Sequence, residues 1–161
     1  MRRKGATPAQ LEALYRSRFE HFVRVAAAIC GDAELGRDAV QTAFVAAIRG
    51  RRTFRAGGPL EAWVWRIVVN EAHRVAREPR VVGLDELEER SANGRADDPL
   101  GIRSWIAALP ERQRDAVFLR YYADLDYRAI ARVLGVEVGT VSATLATAHR
   151  SLRKKLQEVR Q

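Results

Sequence analysis

Cysteine is nearly absent from this chain of 161 residues, histidine occurs three times, and no apolar run approaches the roughly 20 residues of a membrane span. A single thiol, Cys30, cannot close an internal disulfide, and its helical apolar spacing makes it a core group suited to a reducing cytoplasm. The N-terminal MRRKGATPAQ lacks the apolar segment of an export signal, so the chain is expected to stay inside the cell without membrane insertion. No segment alternates at period two for long enough to build a sheet, and no internal repeat is present. His21, His73 and His149 fall on separate helical segments with no ligand spacing around Cys30, and no glycine-rich loop could cradle a phosphate. The expectation is therefore no enzyme, no metal and no cofactor.

What is abundant is apolar surface and positive charge. Hydrophobic residues make up 47% of the chain, ample for packed cores, and 28 Lys and Arg against 20 Asp and Glu leave a formal charge of +8. The charge is uneven: two basic blocks flank a stretch, residues 79–103, in which acids outnumber bases. Such a balance suits a polyphosphate partner, because each neutralised phosphate releases counterions, although a solvated basic face has the same composition.

Helical periodicity divides the chain into two bodies. Thr7 is an N-cap ahead of Pro8, and Leu11, Leu14, Tyr15, Phe19, Phe22, Ala26 and Ile29 form an apolar stripe that ends at Gly31. Asp32 caps a second helix whose Leu35, Ala39, Val40, Phe44, Ala47 and Ile48 face the same core. From Arg49 to Gly58 the pattern stops, and RGRRTFRAGG reads as a basic loop before Pro59 restarts a helix to about Arg77. Residues 8–78 form a three-helix bundle, residues 79–98 a turn-rich flexible linker, and residues 99–161 a second helical domain. In that domain Asp98 and Pro99 open one helix and Pro110 with Glu111 the next. The fold class is all-α with two small helical domains.

The segment LDYRAIARVLGVEVGTVSATLATAHRSL then reads as two helices around a glycine turn. Ile130, Ala131 and Leu134 mark the first apolar face, Gly135 the turn, and Val141, Leu145, Ala148 and Leu152 the second. This is a helix-turn-helix pattern, whose second helix fits the major groove of duplex DNA.

In order and spacing the two bodies resemble the sigma-70 family of bacterial transcription initiation factors, specifically the extracytoplasmic function (ECF) group, over roughly residues 10–78 and 100–156. One half of the resemblance is LPERQRDAVFLRYYADLDYRAIARVLGVEVGTV, Leu109 to Val141. The other is Asp38, Val40, Gln41 and Phe44 with FRAGGPLEAWVWRIVVN, Phe54 to Asn70. The resemblance implies a sigma2-like domain that docks on core RNA polymerase and captures the melted -10 strand, and a sigma4-like domain that reads the -35 duplex. It also implies promoter DNA and an anti-sigma factor as partners of a chain that is monomeric when free.

By that resemblance Asp38 and Gln41 meet polymerase; their spacing alone fits a solvated helix face equally well. For the -10 strand the chemistry is more direct. Arg49, Arg51, Arg52 and Arg55 around Phe54 join phosphate attraction to a stacking ring, and stacking is worth about 1–3 kcal/mol per base. Trp65, Arg66 and Asn70 follow on the next helix, and the resemblance implies that they are strand contacts. Trp63 lies on the apolar stripe with Ile67 and reads as core, while Trp65 falls off that stripe.

In the recognition helix Thr140, Ser142, Ala143 and Thr144 lie nearest the bases, with Arg150 and Lys154 as later cations. The Lys and Arg residues common at the start of this helix in the family are absent, so no bidentate Arg to guanine is available there, and a weak or unusually specified -35 contact is expected. Glu137 also stands at the N-cap where Ser is the better cap. Thr42 follows Gln41 where the family commonly has an acid, and Ile48 stands at a common aromatic position. The competing functional class is a stand-alone helix-turn-helix regulator that does not bind polymerase.

Overall fold

The computed structural model describes residues 5–81, 83–86 and 98–161. Helix α1, Pro8–Cys30, starts on a reciprocal cap: the Thr7 side chain accepts from the Gln10 backbone N–H at 3.2 Å, and Gln10 Oε1 accepts from the Thr7 N–H at 2.9 Å. It ends at Gly31, whose φ of 73° only glycine adopts freely. Helix α2, Ala33–Gly50, is capped by Asp32, which accepts from the Leu35 N–H at 2.9 Å. A single 3-10 turn, Arg51–Thr53, follows, so the expected loop from Arg49 is shorter and Arg49 remains helical. Helix α3 is Leu60–Arg77, with Pro59 at its N-cap rather than inside its first turn.

These three helices enclose the first core. The Phe22 ring lies 4.3 Å from Trp65 and 5.3 Å from Phe44, and Val25, Val40, Val64 and Val68 are completely buried around them. Helices α1 and α2 approach so closely that a Cβ on Gly36 would stand 2.4 Å from the Ala27 backbone nitrogen. Ile48, expected in the core, is 45% exposed because it lies on the outer face of α2.

Four further helices build the second body. Helix α4, Ile102–Ala107, begins three residues later than expected, with Gly101 at the N-cap, although the Asp98 carboxylate still accepts from the N–H groups of Ile102 and Arg103, each at 2.7 Å. Helix α5, Glu111–Tyr121, leads through Asp124, a left-handed residue at φ 55°, to α6, Tyr127–Leu134. Helix α7 is Val138–Val159. Leu119, Ile130, Val141, Leu145 and Ala148 are buried at its core. Of the linker, residue 82 and residues 87–97 lie outside the described residues.

The two bodies touch. Arg18 of α1 donates to the Ala123 carbonyl at 2.8 Å, His73 of α3 meets Asp115 of α5 at 2.9 Å, and Arg77 meets Glu111 at 3.1 Å. No single helix among the described residues is long and apolar enough to cross a membrane.

A Gly36→Ala substitution would add helix propensity on an exposed surface, yet here the methyl group collides with backbone. It is expected to lower stability by about 1–3 kcal/mol, measured as the midpoint of thermal or urea unfolding.

Candidate nucleic-acid interface

The basic loop hangs between the end of α2 and the start of α3, and the chain's own N-terminus pins it. The Gly5 N–H donates to the Phe54 carbonyl at 3.0 Å and the Ala6 N–H to the Arg51 carbonyl at 2.9 Å, with Ala6 buried. Gly5 has a φ of 100°, and a Cβ there would stand 3.1 Å from the Arg51 oxygen. Sequence reading missed this clamp because residues 5 and 6 carry no apolar periodicity. Arg51 is half-buried and donates back to the Ile48 carbonyl at 2.8 Å, whereas Arg49, Arg52 and Arg55 are exposed.

The two tryptophans exchange their expected places. Trp65 is 0% exposed, its ring packed at a tilt against Phe22 and its indole N–H donating to Glu61 at 3.2 Å, and so belongs to the core. Trp63 is half-buried, with its ring 5.5 Å from Phe54. The correction has a geometric cause: the buried stripe of α3 runs Val64, Trp65, Val68, Val69, Ala72, Val75, which rotates position 63 onto the loop side. Arg66 and Asn70 are exposed, one and two turns along from Trp63 on the same face. Phe54 and Trp63, with Arg52 and Arg55 close to Phe54 in sequence and Arg66 one helical turn on from Trp63, therefore combine aromatic faces with cations, the chemistry that holds unstacked bases and their phosphates.

On the outer face of α2, Asp38 and Gln41 are exposed, and the same stripe continues into Val45 and Ile48, which are 47% and 45% exposed. Two aliphatic side chains presented beside two polar ones form an apolar patch with a polar end. Sequence reading found its polar half and assigned Ile48 to the core.

The helix-turn-helix is built as expected. Asp126 caps α6 by accepting from the Ala129 N–H at 2.8 Å, Gly135 turns the chain at φ 67°, and α6 and α7 meet at 100°. Glu137 is at the N-cap of α7 and makes no side-chain cap bond. Tyr121 Oη lies 2.7 Å from His149 Nε2, tying the middle of α7 to α5. Thr140, Ser142, Ala143, Arg150 and Lys154 are exposed and Thr144 is half-buried. With Val141, Leu145 and Ala148 inward, Ala143, Arg150 and Lys154 point most directly outward, half-buried Thr147 lies to one side of them, and Thr140 and Ser142 fall on opposite flanks. Thr147 donates its hydroxyl to the Ala143 carbonyl at 3.0 Å, so this face presents methyl groups first and cations only further along.

The remaining ionisable cluster is at the junction of the two bodies. His73 Nε2 lies 2.9 and 3.0 Å from the two Asp115 oxygens and 4.0 Å from Glu111. Arg74 is held by Glu71 on its own helix and by Glu78 just past the helix end, which raises its pKa above the usual arginine range. Cys30 is half-buried against the Ala72 carbonyl, and burial raises its thiol pKa above the usual value.

Comparison with known proteins converges on one family. The model described as Sigma-70 region 2 matches residues 14–80, and that described as Sigma-70, region 4 matches residues 101–152. The RNA polymerase sigma-H factor of Pseudomonas aeruginosa is 31% identical over 145 residues, 78% of this chain and 75% of that protein. The ECF RNA polymerase sigma-E factor of Escherichia coli K12 is 30% identical over 139 residues, 74% of this chain and 73% of that one. In fold, the chain is similar to CnrH, solved in complex with the cytosolic domain of CnrY, with a TM-score of 0.71 at 21% identity, covering 95% of this chain and 91% of that one. It is also similar to the sigma factor RpoE from Bartonella quintana, solved with the anti-sigma factor NepR, with a TM-score of 0.65 at 17% identity, covering 92% and 97%. The chain belongs to the sigma-70 family of RNA polymerase sigma factors, in its extracytoplasmic function group.

Proposed function

We propose that the chain binds core RNA polymerase through the outer face of α2, captures the melted -10 strand on the basic loop and α3, and reads the -35 duplex with α7. In this division residues 8–78 are the docking and strand-capture domain, residues 79–98 the linker and residues 99–161 the duplex-binding domain. The single observation that carries the reading is the coexistence of three separate surfaces. These are the exposed stripe Asp38, Gln41, Val45, Ile48; the aromatic pair Phe54 and Trp63 among arginines; and a helix-turn-helix. A stand-alone regulator would require only the last.

The chemistry follows from the residue types. Val45 and Ile48 supply apolar area and Asp38 and Gln41 fix orientation, the usual partition of an interface between a buried centre and a polar rim. Phe54 and Trp63 offer faces for two unstacked bases, while Arg49, Arg52, Arg55 and Arg66 attract phosphates and Asn70 can bond a base edge. On α7, Ala143 and the flanking Thr140 suit thymine methyl groups, Ser142 and Thr144 can hydrogen-bond, and Arg150 and Lys154 take phosphates. The chain itself catalyses nothing in this reading and works in the cytoplasm, where polymerase and DNA are, as a monomer when free. An anti-sigma factor as a further partner is supported by the RpoE relative, whose structure contains one.

Two sets of variants separate the surfaces. Val45→Glu with Ile48→Glu is expected to weaken association with core polymerase at least tenfold in a pull-down titration, because two charges enter an apolar contact. Phe54→Ala with Arg52→Ala and Arg55→Ala is expected to leave that association intact and reduce open complexes by about tenfold or more. Loss of both activities in both sets would contradict the assignment. For the duplex contact, Arg150→Ala and Lys154→Ala are each expected to reduce the slope of log affinity against log salt by about 1, with little change in sequence preference.

A further inference from the structure

Helix α2 ends at Gly50, and the carbonyls at and beyond its end have no donor one turn further along the same helix. The 3-10 turn that follows, Arg51–Thr53, is three residues long and holds itself weakly, because its i to i+3 bonds are few and poorly aligned. Two donors from outside the loop fasten it. The Gly5 N–H donates to the Phe54 carbonyl at 3.0 Å and the Ala6 N–H to the Arg51 carbonyl at 2.9 Å, so the turn is gripped at both ends with Arg52 between them. The Phe54 ring adds a third point, 5.5 Å from that of Trp63 on α3.

The gripping segment is itself fixed. Ala6 is 7% exposed and belongs to the first core, and Thr7, next in sequence, is locked by its reciprocal bonds with Gln10 at the start of α1. At Gly5, with φ 100°, a side chain would be strained, and its Cβ would stand 3.1 Å from the Arg51 oxygen and 3.2 Å from the Arg52 Cα. Only glycine lets these two backbones lie so close. Past Phe54 the fastening ends: a Cβ at Gly57 or Gly58 would meet nothing, and the backbone bond made there is local, from the Gly57 N–H to the Arg55 carbonyl at 2.7 Å.

The bundle itself does not need this grip, since α1 already has its cap and the core packs around Phe22 and Trp65. What the grip fixes is the place of one aromatic ring and one arginine, the two kinds of group that the strand is proposed to meet. A ligand that meets a loop already in place is spared the loss of backbone freedom that ordering it on contact would impose. We propose that Gly5 and Ala6 are positioning residues for strand capture, holding the Arg51–Phe54 turn in the conformation that receives an unstacked base and its phosphate. They act through Arg52 and Phe54 and touch no DNA themselves. The inference rests on the proposed capture of the -10 strand by the basic loop.

Two substitutions release the grip without altering charge. Gly5→Val sets a branched side chain against the Arg51 oxygen at a φ that such residues do not favour, and Ala6→Pro removes the N–H that meets Arg51. Each is expected to raise the initial rate of trypsin cleavage after Arg51 and Arg52 about tenfold, read by mass spectrometry on the free full-length chain. With core polymerase, each is expected to reduce open complexes about tenfold at a promoter recovered from random duplexes, read as permanganate reactivity of unpaired thymines. Association with polymerase through α2 is expected to stay within about twofold, because that face is remote from the change. The slope of log affinity against log salt is expected to hold, since no phosphate contact is removed, whereas Arg52→Ala lowers it by about 1. Ala6→Ser retains the N–H and is expected to preserve both slow cleavage and opening.

Unchanged cleavage in both variants would overturn the proposal, as would loss of polymerase association in step with loss of opening, which marks a purely structural role. The triple variant Arg52→Ala, Phe54→Ala, Arg55→Ala separates the two levels. Opening lost in that variant but kept in Gly5→Val and Ala6→Pro refutes the positioning alone; opening kept in all three refutes the strand-capture reading and the positioning with it.

Discussion

The burial of Trp65 between α1 and α3 is the constraint from which the functional surface follows. Its ring packs 4.3 Å from Phe22 and is wholly hidden, which fixes the rotation of α3 about its own axis. Once that rotation is set, Trp63, Arg66, Asn70, His73 and Arg77 must share the opposite side. The indole N–H is not left unsatisfied. It donates to Glu61, which accepts from Arg18, which in turn donates to the Ala123 carbonyl of the second body. One hydrogen-bonded chain thus joins the first core to the domain contact, and truncating the indole would open a cavity and release a glutamate and an arginine together.

Around that core the protein separates apolar burial from charge. Alanine and glycine let α1 and α2 approach closely, while Val45 and Ile48 remain exposed on the outer face of α2. The arginines collect on the 3-10 turn and loop, where two backbone bonds from Gly5 and Ala6 hold their position without a side chain. In the second body the recognition helix is fixed by Val141, Leu145 and Ala148 inside and by Tyr121 on His149, while its outward start is left uncharged. A duplex contact made of methyl and hydroxyl groups discriminates less between bases than bidentate arginine does.

Much of this was legible in the chain. The caps at Thr7, Asp32 and Asp126, the turns at Gly31 and Gly135, and every long helix follow from local chemistry, because capping and glycine stops depend on residues within one turn. The errors have a common origin in helix rotation. Trp63 and Trp65 are two positions apart, and periodicity alone does not decide which side α3 presents to α1; Phe22, 43 positions before Trp65, decides it. Ile48 is apolar and so reads as inward, yet Ala47 beside it is the residue that is fully buried and Ile48 stays outside. Contacts between remote segments left no local trace at all. The clamp of residues 5 and 6 on the basic loop is made by backbone, and the pairing of His73 with Asp115 spans 42 positions with no spacing rule to reveal it.

The most direct test of the account is to mix the purified chain with core RNA polymerase and a library of random duplexes and to recover DNA that becomes unpaired. The account predicts co-elution with polymerase and strand opening at a common sequence that requires the chain, with a well-defined -10 element and a weakly specified -35 element. Binding to duplex DNA with no association with polymerase and no strand opening would contradict it.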